Sequence, residues 1–132
     1  MDNKPRIINF PKIIDPRGNL TFFESNNQIP FEIERVFWIY DVPGGSTRGG
    51  HAYLKQHEII IALSGSFDVV VKSKDNSKET FRLNRSYYGL YLPPLCWRHI
   101  ENFSTNALSL NISSSKFDET DYVRDFETFS KI

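Results

Sequence analysis

The chain reads as an all-β protein, a jelly-roll barrel or sandwich, and three observations carry that reading. Short apolar runs, about ten of them, recur at regular spacing. Gly, Pro, Asn and Asp cluster between them, where turns need them. Eleven Phe stand against a single Met, in a chain whose aromatic fraction is 14%. Flat and branched side chains suit a pleated surface better than a helix.

Ile7–Phe10 and Lys12–Ile14 are two short strands split by Pro11. A proline there suits an edge or exchanged strand, since it cannot donate to a ladder. Asp15-Pro16-Arg17-Gly18-Asn19 is a turn by its chemistry, and Leu20–Glu24 follows as a strand. Ile33–Tyr40 alternates, with Ile33, Arg35, Phe37 and Ile39 on one face and Glu34, Val36, Trp38 and Tyr40 on the other. The loop Asp41–Thr47 is rich in breakers. Arg48–Tyr53 is a polar strand led by Gly49-Gly50, with His51 and Tyr53 facing one way. Ile59–Leu63 is apolar throughout and predicts a strand covered on both sides. Phe67–Lys72, Glu79–Leu83, Tyr87–Leu92, Trp97–Asn102 and Ala107–Ile112 complete the strands, each bounded by turn residues. The spacing of Tyr122, Phe126 and Phe129 predicts a short C-terminal helix.

At 132 residues the chain is expected to be one domain, large enough for one buried core. Sixteen basic residues balance sixteen acidic ones, so no global field points to nucleic acid or to a membrane surface. No apolar run approaches the ~20 residues of a membrane span. The first residues lack a signal-peptide core. A lone Cys96 excludes an internal disulfide framework and fits a reducing cytoplasm. Nothing pairs with it that would make it a nucleophile.

Two segments concentrate the chemistry. In the first, His51-Ala52-Tyr53 is followed after four residues by Glu58, and after six more by Gly65. In the second, Pro94 is followed by Arg98, then by Asn102 after three residues. This spacing resembles the two motifs of the cupins, double-stranded β-helix barrels. Two of the four positions that hold a metal in cupins are here Tyr53 and Arg98. Arginine stays protonated in proteins and partners anions. His51 and Glu58 alone fall short of the three protein ligands a catalytic metal takes. No metal is therefore expected. An imidazole, a phenol and a guanidinium suit acid–base chemistry on an anionic or carbonyl-bearing sugar.

More specifically, the chain resembles the dTDP-4-keto-6-deoxyglucose 3,4-ketoisomerases of bacterial surface-sugar synthesis. The matching pieces are Ile13–Gly18, Ile33–Val36, Arg48–Ala52, Gly89–Tyr91 and Asp118–Arg124. The resemblance implies a cytoplasmic isomerase that acts on a dTDP-linked keto sugar without a cofactor. It also implies a homodimer that exchanges N-terminal strands, about residues 5–15. His51 would move the proton and Tyr53, where the family carries a second His, would assist. Arg17 and Arg98 would hold sugar oxygens, with an ion pair to Glu58 as the competing role for Arg98. Arg48 and Arg35 are candidates for the diphosphate, and either could instead hold the fold. Tyr91 and Tyr40 are pocket walls or core aromatics. His57 and His99 read as rim or outward-facing. A related 3- or 5-epimerase and a non-catalytic sugar-binding cupin are the alternatives.

Overall fold

The apolar runs become strands, most of them within a residue or two of the expected bounds. In the computed structural model, which describes residues 4–132, the strands are β1 (Arg6–Asn9), β2 (Lys12–Ile13), β3 (Leu20–Thr21), β4 (Arg35–Ile39), β5 (Arg48–Tyr53) and β6 (Glu58–Ser64). They continue as β7 (Phe67–Lys72), β8 (Lys78–Leu83), β9 (Tyr88–Leu92), β10 (Trp97–Glu101), β11 (Leu108–Ser113) and β12 (Tyr122–Val123), followed by one helix, α1 (Phe126–Ser130). Two five-stranded antiparallel sheets form, in the orders β1-β9-β6-β11-β4 and β12-β5-β10-β7-β8. Consecutive strands mostly alternate between sheets, which is what rolls the chain into a double-layered barrel. The strand expected over Leu20–Glu24 is shorter, because β3 pairs only with β2 in a separate hairpin.

The pleat sorts residues between three cores. Inside the barrel Ile60, Ala62, Val69, Leu90, Leu92 and Ile100 pack between the sheets. On the outer face of the first sheet Ile59, Ile61, Tyr91 and Ile112 lie beneath Phe10, Ile29 and Phe31. That second layer explains the unbroken apolar run in β6. Ile59–Ala62 are at most 1% exposed because both faces are covered, and each such isoleucine contributes roughly 1.5–3 kcal/mol. On the outer face of the second sheet Ala52, Trp97 and Val123 meet Phe129 of α1.

Gly89 is the residue that allows β9 to lie so close to β6. A Cβ there would stand 2.9 Å from side-chain carbons of Ile59 and Ile61, and 3.1 Å from the Ile60 carbonyl oxygen. Gly65, at φ +67°, makes the β6–β7 turn against Ser104 and Ala107.

The C-terminal segment departs from its helical spacing. Asp118 caps a 3-10 turn over Glu119–Asp121. Tyr122 and Val123 then pair as a strand with Tyr53 and Ala52. The Asp121 carboxylate accepts the backbone N–H groups of Lys55 (2.8 Å) and Gln56 (3.1 Å), which pins the segment to the end of β5. The helix begins only after Asp125, whose side chain accepts the Thr128 N–H at 3.0 Å. Among the described residues no helix is long and apolar enough to cross a membrane.

Candidate active site

Strand alternation turns His51 and Tyr53 of β5 into the barrel, along with Glu58 of β6 and Arg98 of β10. Arg98 is the direct cross-strand partner of His51. The ladder shifts register between Arg98 and Ile100, a local irregularity that re-aims a side chain as bulges do. Tyr122 joins the group from β12, opposite Tyr53.

Glu58 and Arg98 are each only 2% exposed and pair directly, Nη1 of Arg98 donating to Oε1. The second carboxylate oxygen accepts from Asn111 Nδ2 at 3.1 Å, and Ser109 Oγ donates to Asn111 Oδ1 at 2.9 Å. Arg98 Nε donates to the Cys96 carbonyl at 3.1 Å. Its Nη2 is buried and has no hydrogen-bond partner. A buried donor left unmade costs about 1–3 kcal/mol, so it points to a bound acceptor.

His51 sits beside it. Its ring centroid is 4.7 Å from that of Tyr53 and 5.1 Å from that of Tyr122, and its Nε2 is buried without a partner. Burial, then the charges of Arg98, Arg124 and Arg35, hold the imidazole pKa down to about 3. It is thus a neutral base at physiological pH. Tyr53 is 1% exposed, and burial followed by the nearby Glu58 carboxylate pushes its phenol above the usual range. Its hydroxyl donates to that of Tyr122 at 3.3 Å, and the Arg98 guanidinium lies 5.0 Å from its ring centre.

Arg35 lies between the rings of Phe37 (4.8 Å) and Phe117 (5.6 Å), with Nη2 donating to Gln56 Oε1 at 3.0 Å. Arg35 Nε and Gln56 Nε2 are also buried without partners. Arg124 covers the Tyr122 ring at 4.2 Å and is gripped by both carboxylate oxygens of Glu119.

The other expected residues lie apart from this cluster within one chain. Arg17, on the exposed β2–β3 hairpin, forks onto Asp15 at 3.0 Å through both Nε and Nη2. Arg48 is exposed at the start of β5, opposite Ile100. Tyr40 is 61% exposed and follows the outer face of β4, with Val36 and Trp38. Tyr91 is fully buried on the outer face of the first sheet, where its hydroxyl meets His57 Nδ1 at 2.7 Å. The inward positions of β9 belong to Leu90 and Leu92. His99 faces away from Arg98 and pairs with Glu101 at 2.6 Å. Cys96 is buried, with its thiol pushed up by that burial. Tyr122 and Arg124 are the site residues that sequence reasoning missed. Their signal was the mismatch of Asp121 and Asp125, two capping-type residues, with one continuous helix.

The donor set does not fit a metal ion. Among the described residues no three His, Cys, Asp or Glu side chains converge to hold one. Glu58 has both oxygens engaged by Arg98 and Asn111.

A jelly-roll barrel with an imidazole, two phenols and a guanidinium gathered inside defines a cupin-like fold. The chain belongs to the family described as FdtA: WxcM-like, C-terminal, whose model matches residues 3–132. It is 39% identical over 131 residues to a TDP-4-oxo-6-deoxy-alpha-D-glucose-3,4-oxoisomerase from Aneurinibacillus thermoaerophilus, covering 99% of this chain and 92% of that one. The crystal structure of QdtA, a sugar 3,4-ketoisomerase from Thermoanaerobacterium thermosaccharolyticum in complex with TDP, superposes with a TM-score of 0.94 at 35% identity, covering 99% and 95% of the two chains. The WlaRB TDP-quinovose 3,4-ketoisomerase from Campylobacter jejuni gives 0.92 at 34% identity, with 99% and 100% covered. The epimerase NovW from Streptomyces spheroides, at 19% identity and a TM-score of 0.74, shares the fold alone.

Proposed function

We propose that this chain is a 3,4-ketoisomerase that converts dTDP-4-keto-6-deoxyglucose to a dTDP-3-keto-6-deoxyhexose. The observation that carries this reading is the cross-strand pair His51 and Arg98, each with a buried nitrogen lacking a partner. His51 Nε2 removes the C3 proton and later returns it at C4. Arg98 Nη2 meets the carbonyl oxygen that becomes the enediolate, where a preorganised donor counts most. Oxidation at one carbon balances reduction at its neighbour, so the reaction needs no redox cofactor.

Arg35 and Arg48 are the candidates for the diphosphate, and Tyr53 assists at the sugar. β1 pairs with β9 of its own chain, so the element left for exchange in a homodimer is the exposed β2–β3 hairpin, which would bring Arg17 toward the sugar of a neighbouring site. Tyr40 and Tyr91 lie on the outer face of the first sheet, away from the barrel interior. Support for the dimer comes from apolar side chains left outside. Ile13, Ile14 and Leu20 on the β2–β3 hairpin are 53%, 74% and 55% exposed, and Trp38 on edge strand β4 is 58% exposed. A nucleotide-sugar substrate and one buried, unpaired cysteine suit the cytoplasm, and the product suits dideoxy-amino sugar synthesis for a surface polysaccharide.

Incubation with the 4-keto sugar in deuterium oxide, followed by NMR, tests the reaction. A 3-keto product carrying deuterium at C4, or recovered substrate carrying it at C3, is the expected result. Label at C5 identifies an epimerase, and no label with retained binding identifies a sugar-binding protein.

A further inference from the structure

Ketoisomerisation moves two protons, and His51 accounts for one. A carbon-bound hydrogen passes from C3 to C4, while an oxygen-bound one passes from O3 to O4. The second transfer needs a neutral group that can give a proton to one oxygen and recover it from the next.

The two phenols beside His51 are not equivalent. Tyr53 is 1% exposed, lies against the Arg98 guanidinium, and donates its hydroxyl proton to the oxygen of Tyr122. Tyr122 is only partly buried, and its ring is flanked by His51 at 5.1 Å, Arg124 at 4.2 Å and Phe117 at 5.9 Å. Its oxygen accepts the hydrogen bond from Tyr53, and a phenol that accepts still has a proton of its own to donate. Register enforces this order, since Tyr122 stands directly across from Tyr53 at the open edge of the second sheet.

We propose that Tyr122 carries the oxygen-bound proton of the reaction and that Tyr53 is the positioning residue that steadies it, an inference that rests on the ketoisomerase reading above. As His51 takes the C3 proton, the C–H electron pair forms the C3–C4 double bond. The carbonyl π pair moves onto O4 as an enediolate held by Arg98 Nη2, a stage that suffices for C3 exchange, and O4 then takes the Tyr122 phenolic proton. The hydrogen bond from Tyr53 stabilises the phenolate left behind. In the second half O3–H returns a proton to that phenolate and its electron pair forms the C3 carbonyl. The double-bond pair then takes the proton from His51 at C4. Atoms and electrons balance without an outside oxidant or reductant.

The test compares, in deuterium oxide, solvent exchange at C3 of recovered substrate with formation of the 3-keto product. Tyr122→Phe is expected to keep C3 exchange while product formation falls about 100-fold, the lower range for a lost proton-transfer group. Tyr53→Phe moves the same ratio the same way by about tenfold, the factor that one ordinary hydrogen bond brings. A larger effect from Tyr53→Phe than from Tyr122→Phe overturns the proposal. So does an equal loss of exchange and product in Tyr122→Phe, or no change in either. TDP affinity by calorimetry verifies the fold of each variant. Should Tyr122→Phe fail to fold, a fluorinated tyrosine at position 122 must alter the ratio, and an unchanged ratio again overturns the assignment. Wild-type protein that neither exchanges nor converts the sugar instead removes the ketoisomerase reading, and this inference with it.

Discussion

Glu58 and Arg98 face each other across the barrel interior as a paired acid and base, both almost sealed from water. The pair leaves one guanidinium nitrogen free of hydrogen bonds, so Arg98 serves the fold with one arm and is available to a ligand with the other. Removing it strands a buried carboxylate, at a cost of about 3–5 kcal/mol. Arg98→Met is therefore expected to lower stability by that amount in urea titration. Glu58→Gln in the same chain should recover part of the loss, because the two sites share one interaction. Any folded fraction of Arg98→Met should convert substrate roughly 100-fold more slowly or worse, as for a lost oxyanion donor.

The buried imidazole makes the protein acid-sensitive in a particular window. His51 has a folded pKa of about 3 against an ordinary value of 6.5. Between those values the unfolded chain binds the proton that the folded one refuses, so stability rises with pH there. It should be complete above pH 6.5 and decline as pH falls toward 3. Thermal melts across this range will show the decline, and His51→Gln should flatten it. In the free enzyme the base stays unprotonated well below pH 6.5, so the acid limb of kcat/KM should lie far below an ordinary histidine value, toward the folded pKa of about 3.

Gly89 tests how tightly β9 and β6 are apposed. A methyl group there meets two isoleucine side chains and a backbone oxygen at 2.9–3.1 Å. Gly89→Ala should destabilise by about 1–3 kcal/mol, the usual range for an overpacked core. Denaturant midpoints will measure it.

Trp38 tests the proposed pairing of two chains. A charged side chain in place of an indole that is 58% exposed should cost a lone protomer under ~0.5 kcal/mol, yet it would break a buried interface. Trp38→Glu should halve the mass seen by analytical ultracentrifugation while leaving the melting temperature of diluted protein little changed. An unchanged mass would remove this face from the interface.

Much of the architecture was legible because a strand writes its two faces into alternate residues. His51 with Tyr53, and Arg98 opposed to His99, could be assigned sides from spacing alone. The two faces of β4 were separated for the same reason, but which of them turns inward was not, and Tyr40 follows the outer one. Tyr91 was harder, since β9 is apolar on both faces. Which face lies inward depends on residues such as Phe10 and Phe31 that cover the outer one. Tyr122 was hidden by a coincidence: with Phe126 and Phe129 it mimics one face of a helix, yet its strand exists only through pairing with β5, far back in the chain. A local period cannot carry a non-local partner. The reach of Arg17 and Arg48 is equally non-local, because each belongs to an exposed segment whose placement against a substrate depends on more than its own strand.

The period-two layout of β5 has an engineering corollary. Losing or gaining one residue between Gly49 and His51 would evert the strand, sending the imidazole toward α1 and a methyl group into the cavity. Amino-acid exchange should thus be far better tolerated along this stretch than any change of frame. Libraries or chimaeras built from related chains will retain function only where their crossovers preserve its length.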